Sequence, residues 1–252
     1  MPVSDRLNAK ASEWATRLVD RLGPEEAQRL SRSMLASIDD VSQHRWEQAR
    51  RRAESVGGTI RPEKIAAVTA SFSRELGAAG AAAGAAAAAP AVGTAATIAA
   101  TTAELGWFTA RAGDLILTIA ALHGMPDPSV DERRAWVLAV LIYGSSARDE
   151  FARALQQAST GLAPSGDGRL RLSTLQTANR LMGRALVRRY GTRRGAVAVG
   201  RLLPIGIGAA IGGSVNYLAI RALARQADAF FARLPYSAID VESTDLTGRM
   251  IG

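Results

Sequence analysis

The segment Leu202–Ile220 reads "LLPIGIGAAIGGSVNYLAI" and runs without a charge between two arginines. As a helix it is about 28 Å long, which is enough to cross a bilayer. Its proline, its glycines and Asn216 lower its hydrophobicity, however. It also continues into "RALARQADAFF", where Arg221, Arg225 and Asp228 form a polar stripe opposite apolar residues. We therefore predict a packed helix of a globular protein, and crossing a membrane is the least favoured alternative.

Small residues dominate two regions of the chain. Gly208 and Gly212 lie one helical turn apart, and we expect them to form a contact surface for a neighbouring helix. A second uncharged run extends from Leu76 to Ala103 and is interrupted by Pro90. Alanine contributes little to membrane insertion, so this run predicts a buried central hairpin bent at the proline.

The composition favours an all-α fold, a single compact multi-helix bundle with Gly/Ala-rich central helices. The chain has 252 residues, 48% of them hydrophobic but only 5% aromatic, so Ala, Leu, Val and Ile must build the core. It has no cysteine, which excludes disulfides and cysteine-bound zinc. It has only two histidines. We expect no metal and no cofactor. The N-terminus lacks the apolar core of a secretory signal, so a cytoplasmic location is expected.

Helix signals divide the chain into predicted elements. We expect amphipathic helices over residues 1–60, an α-helical domain over 61–234 with a linker near 159–169, and an irregular tail over 235–252. Proline, glycine and capping patterns set the predicted helix ends. These are a start at Pro24, an end at Gly57–Gly58, a start at Pro62, an end at Gly124, and a Ser129/Glu132 capping box opening a helix that extends to Gln157.

The net charge of +8 is concentrated in an arginine run. The first three arginines are spaced four residues apart and share one side of a helix. Such a helix beside an apolar segment is typical of binding at an anionic membrane surface, whereas the alternative is a solvated helix face. Nucleic acid is disfavoured because the run contains few aromatic residues. The predicted lipid- or anion-binding residues are Arg180, Arg184, Arg188, Arg189, Arg193, Arg194 and Arg201.

Four polar residues interrupt apolar helices: Glu104, Arg111, Asp114 and Asn216. Arg111 and Asp114 are one turn apart, so they predict a buried ion pair that fixes the register of the helix. Asn216 is expected to bond a neighbouring helix. The alternative is that these groups form the polar end of a lipid or substrate cavity.

A serine hydrolase is a weaker alternative. The sequence "YGSSA" places Ser145 after a glycine, and His123 with Asp114 would supply a base and its orienting acid. No strand precedes the serine, and the second glycine of a nucleophile elbow is missing. The catalytic assignment is therefore none.

Two segments carry a resemblance to a known family. They are "RAGDLILTIAALHGMPDPSVDERRAWVLAVL" at 111–141 and "LLPIGIGAAIGGSVNYLAIRALARQADAFF" at 202–231. Both resemble the bacterial EcsC family, in order and with similar spacing, although relatives often have tyrosine where this chain has His123. The resemblance implies an all-helical bacterial protein. Some members of the family are encoded beside an ABC transporter, and the family has no established catalytic activity to transfer to this chain.

The expected function is that of a non-enzymatic protein at the inner face of the cell membrane. Its partner would be an anionic membrane surface or a membrane protein, with a lipid or fatty acid as a further ligand and no nucleic acid. The alternatives are a soluble protein that binds an acidic partner protein and a protein that inserts into membranes on a trigger.

Overall fold

The computed structural model describes residues 24–87, 94–160, 171–190 and 208–234. These residues are almost entirely helical and contain no strand, which confirms the all-α prediction. The helices are α1 (Pro24–His44), α2 (Trp46–Ser55), α3 (Arg61–Ala87), α4 (Thr94–Leu122), α5 (Val130–Tyr143), α6 (Ala147–Ser159), α7 (Leu172–Tyr190) and α8 (Gly208–Phe231). A short 3-10 turn, Gly144–Ser146, joins α5 to α6.

Local signals place several helix ends where the sequence predicts them. Helix α1 starts at Pro24, and α4 ends two residues before Gly124, whose φ of 73° lies in the left-handed region that glycine adopts most easily. The capping box of α5 is complete. Ser129 Oγ accepts from the Glu132 amide at 3.3 Å, and the Glu132 carboxylate accepts from the Ser129 amide at 2.5 Å. These ends therefore follow from residues within one turn of each.

Two predicted helices are broken in the structure. The helix expected from Pro24 to the Gly57–Gly58 pair ends at His44, and α2 begins at Trp46. The helix expected to reach Gln157 ends at Tyr143, because Gly144 adopts a φ of 56° and the chain turns before α6. The helices on both sides of each break contribute residues to the same hydrophobic core.

Helix α4 forms the centre of the bundle. Every residue from Ala112 to Ala120 is buried, so this part of the helix is covered on all sides. Helices α1, α2, α3, α5 and α8 all pack against α4. At its C-terminal end an aromatic cluster joins α5, α6 and α8: Trp136, Phe151, Phe230 and Phe231, with adjacent rings 5.0–5.9 Å apart.

Helix α8 packs mainly against α3. The Asp228 carboxylate bonds His123 at the end of α4, and the charge of Arg61 at the start of α3 also acts on His123. The start of α3 therefore lies beside the end of α8, and the two helices are antiparallel. The two sides of the predicted hairpin, α3 and α4, contact each other. However, α3 keeps one exposed side, so α4 is the buried member of the pair.

One described helix is long and apolar enough to cross a membrane by length and composition. It is the part of α4 from Leu105 to Leu122, with a mean hydropathy of 1.3. Of that window, 67% is buried within the protein, which fits the core position of α4.

Candidate functional site

The ion pair predicted on α4 is present and belongs to a larger cluster. Arg111 Nη1 donates to Asp114 Oδ2 at 2.5 Å, and these side chains are only 12% and 4% exposed. The other end of the Arg111 guanidinium donates to Glu75 of α3. Arg45, at the break between α1 and α2, lies 3.8 Å from Asp114. One charge network, with Arg111 and Asp114 at its buried centre, therefore connects three separate parts of the chain.

Phe72 of α3 completes this network. The guanidinium carbons of Arg52 and Arg111 both lie 4.8 Å from the centre of its ring, a favourable cation–π distance. Burial and the neighbouring charge of Arg111 lower the pKa of Arg52. Burial also acts to lower the pKa of Arg111, but the hydrogen bond with Glu75 and the charge of Asp114 outweigh it and raise that pKa. The cluster therefore holds α2, α3 and α4 together.

Asp114 is the most buried charged residue of this cluster, with a side chain that is 4% exposed. Burial raises the pKa of its carboxyl group, and the charges of Arg111 and Arg45 oppose that shift. Its carboxylate is occupied by arginines of the chain itself, which is the arrangement of a structural ion pair. The contacts therefore support the structural interpretation over the polar end of a cavity.

His123 forms a second polar contact between distant helices. Its Nε2 lies 2.8 Å from Asp228 Oδ1 of α8, and its side chain is 2% exposed. Burial lowers the pKa of His123, the hydrogen bond with Asp228 opposes this, and the charge of Arg61 lowers it further. The imidazole is therefore neutral at pH 7, and Nε2–H donates to the carboxylate.

A groove of about 290 Å³ opens between α3 and α8. The α3 wall is mainly apolar and includes Ile65, Ala66 and Ala70, whereas the α8 wall carries the predicted polar stripe. Arg221 and Arg225 line this wall one turn apart, and Arg221 Nη1 lies 3.5 Å from the hydroxyl of Tyr217. This volume is at the lower end of the range for small-molecule sites, about 300–1,000 Å³.

The arginine run begins on the outer side of α7. Arg180, Arg184, Arg188 and Arg189 are all exposed. We call these four residues the α7 arginine face. Within the part of the chain that the structure describes, none of the four forms an ion pair with a carboxylate. Among the described residues, Arg180 Nη2 donates to Thr177 Oγ1 at 2.7 Å, and this is a bond within α7 itself.

The inner side of α7 explains why the arginines point outward. Leu175, Met182 and Leu186 are fully buried in the core. Asn179 is also buried, and its Nδ2 donates to the Asp131 carbonyl at 2.9 Å and to the Asp131 carboxylate at 3.2 Å. These contacts fix the rotation of α7 against the start of α5.

Part of the predicted site set lies outside the described residues. Arg193, Arg194 and Arg201 lie outside the described residues, and the side chains of Glu104 and Asn216 are not described either. Gly208 and Gly212 lie in α8, but their surroundings are likewise not described.

The geometry does not assemble the residues of the hydrolase alternative. Ser145 is exposed in the 3-10 turn and makes no hydrogen bond with His123, whose Nε2 is directed at Asp228. Asp114 is held by arginines more than two helical turns away from His123 along α4. Among the described residues, no group of three or more His, Asp or Glu side chains could hold a metal ion.

No family model matches the chain, and no curated protein or solved structure is significantly similar to it. The resemblance to the EcsC family therefore stays a prediction.

Several residues of these sites were not identified in the sequence. Glu75, Arg45, Arg52 and Phe72 carry no local pattern that links them to Arg111, and Asp228 is 105 residues from His123. The polar stripe of α8 was visible in the sequence, but its position beside the apolar wall of α3 was not.

Proposed function

We propose that this protein associates peripherally with anionic membrane surfaces through the α7 arginine face. The observation that carries the proposal is the exposure of four arginines on one helix without a carboxylate partner among the described residues. Acidic phospholipid headgroups are the complementary surface, since each arginine near such a membrane contributes about 1 kcal/mol.

The repulsion among these arginines lowers the stability of α7, and this supports a binding role for them. Like charges four residues apart on a helix destabilise it by about 0.2–0.5 kcal/mol per pair. Arg180, Arg184 and Arg188 form two such pairs, and the helix C-terminus offsets the repulsion only near Arg188 and Arg189. An anionic surface would neutralise all four charges at once.

The rigid inner contacts of α7 favour a flat, extended partner. Because Asn179 and the buried leucines fix the rotation of the helix, its arginines are held as an ordered row on a folded surface. The proposal places the protein at the inner face of the cell membrane, where acidic lipids are abundant. It requires no catalytic step.

A second candidate is an acidic protein partner, which the same surface would attract by the same charges. The EcsC-like segments make a membrane protein, such as an ABC transporter, the specific form of this alternative. The two candidates differ in one property: lipid binding requires no protein partner.

The decisive experiment measures flotation of the purified protein with vesicles. Binding is expected to vesicles containing phosphatidylglycerol but not to pure phosphatidylcholine vesicles, and added salt should reverse it. Replacing Arg180, Arg184, Arg188 and Arg189 with glutamine should weaken binding by about a thousandfold at low salt, at about 1 kcal/mol for each residue.

A scattered variant supplies the control. Arg51, Arg74, Arg148 and Arg233 are exposed and lie on other elements, so replacing them with glutamine gives the same change in net charge, from +8 to +4. This variant should retain most of the binding. Equal losses in both variants would remove the α7 arginine face from the proposal. Failure of the unaltered protein to bind acidic vesicles would leave the acidic protein partner.

A further inference from the structure

The groove between α3 and α8 combines an apolar wall with a charged wall. Ile65, Ala66 and Ala70 present hydrocarbon on the α3 side, and Ala224 adds to it from α8. Ala66 and Ala70 are exposed, so the described part of the chain leaves this wall open. An apolar body lying there would be removed from water, at about 25 cal/mol for each Å² buried.

The charged wall has two guanidinium groups available to a ligand. Arg221 and Arg225 are exposed, line the groove and have no carboxylate partner among the residues the structure describes. Because they are four residues apart, both face the same side of α8. Two such groups side by side are suited to bind one carboxylate through charge-assisted hydrogen bonds.

The charge balance of the groove selects a ligand with a single negative charge. Its lining contains two arginines and one aspartate, which leaves one positive charge. Asp228 lies on α8 one turn beyond Arg225 and accepts a hydrogen bond from His123. Its negative charge repels a second negative charge on a ligand. A monocarboxylate therefore matches the groove better than a phosphate dianion.

We propose that this groove binds a small amphiphilic carboxylate, with its head group on Arg221 and Arg225 and its apolar body against Ile65, Ala66 and Ala70. The ligand is of the short-chain or medium-chain fatty acid type. The site is independent of the proposed membrane surface, because α7 packs on α1, α5 and α6, on other helices than those forming the groove.

The test is a titration of the full chain with octanoate, in which amide chemical shifts in ¹⁵N NMR spectra report binding. Saturable shifts are expected at Ile65, Ala66, Ala70 and Ala224. Octanol lacks the charge and acetate lacks the apolar body, so both should bind at least tenfold more weakly: octanol because the charge-assisted hydrogen bonds are lost, and acetate because less hydrocarbon is removed from water. Equal binding of octanol, or tighter binding of octyl phosphate, would overturn the carboxylate assignment.

Two variants address the two walls separately. Arg221→Gln with Arg225→Gln should weaken octanoate binding by about tenfold or more, because the charge-assisted bonds are lost. Ala66→Trp should abolish binding by filling the groove from an exposed position, with the far-UV circular dichroism spectrum unchanged. Octanoate binding that survives both changes would overturn the proposal.

The control variant, Arg180→Gln with Arg184→Gln, should bind octanoate with unchanged affinity while its vesicle binding weakens. Loss of octanoate binding in this variant would place the carboxylate on α7 and overturn the groove assignment. Failure of vesicle binding in the unaltered chain would leave the groove result unaffected, so the two proposals can fail separately.

Discussion

Arginine occupies two contrasting environments in this bundle. In the buried cluster, the Arg111 guanidinium is only 12% exposed, lies over Phe72 and is bound by Asp114 and Glu75. On the α7 arginine face the arginines are exposed and have no carboxylate partner among the described residues. The same side chain therefore has two roles in this protein. An arginine with carboxylate partners stabilises the fold, whereas an exposed arginine without such a partner is available for binding.

The largest effect is expected from removing one member of the buried network. Arg111→Met leaves the Asp114 carboxylate buried without its hydrogen-bonded partner, near only the charges of Arg45 and Arg52, and we expect it to lower the free energy of unfolding by about 3 kcal/mol. Urea denaturation followed by circular dichroism measures this change. The double variant Arg111→Met with Asp114→Leu should lose less stability than Arg111→Met alone, because the buried carboxylate is gone and the groups that lose a partner, Glu75 and Arg45, reach solvent. A larger loss in the double variant would contradict the ion-pair account.

A pH effect is expected at the contact between α4 and α8. Because burial lowers the pKa of His123 below its ordinary 6.5, the unfolded chain binds this proton more readily than the folded chain. The free energy of unfolding should therefore fall as the pH is lowered below about 6.5, the ordinary pKa of histidine. Urea denaturation at several pH values measures this slope.

Substituting each of the two histidines in turn tests whether His123 produces this pH dependence. His123→Gln should reduce the dependence on pH over that window, whereas His44→Gln, on the exposed end of α1, should retain it. A slope that is unchanged in His123→Gln would show that another group produces it.

A smaller effect is expected where Arg52 lies over Phe72. Arg52→Gln removes one cation–π contact and should cost about 0.5–1 kcal/mol of unfolding free energy. The neighbouring Arg51 is exposed, so Arg51→Gln should change stability little and serves as the reference in the same denaturation experiment. Equal losses in the two variants would assign the effect to helix α2 in general.

The smallest change in stability is expected on the α7 arginine face. Replacing its four arginines with glutamine should alter the free energy of unfolding by less than about 1 kcal/mol, with a gain from relieved repulsion. Thermal unfolding measures it. A loss as large as that of Arg111→Met would mean that these arginines stabilise the fold and would erase the contrast between the two environments.

Much of the fold could be predicted because its signals are local. The capping box at Ser129, the helix start at Pro24 and the Arg111–Asp114 pair each depend on residues within one turn. The break at Arg45 has no glycine or proline to mark it, and Gly144 lies in a sequence that is otherwise regular for a helix.

The sites could be predicted only in part, because their partners come from distant segments. Spacing placed Arg180, Arg184 and Arg188 on one side of a helix, but it did not show that α7 presents that side to solvent. Glu75 reaches Arg111 from 36 residues away, and the apolar wall facing Arg221 and Arg225 belongs to α3. Such contacts depend on how helices are arranged in space, which a single sequence does not encode locally.

The pairing of α3 with α8 has a consequence for synthesis on the ribosome. Helix α3 is made early, whereas its main neighbour is the last described helix of the chain. At about 5–20 residues per second, the side of α3 that packs against α8 waits about 7–29 seconds, the time needed for the 144 residues from Ala87 to Phe231, before α8 is complete. During that interval the nascent chain exposes an apolar helix, which is the form of the protein that chaperones would bind and that truncation before α8 would make permanent.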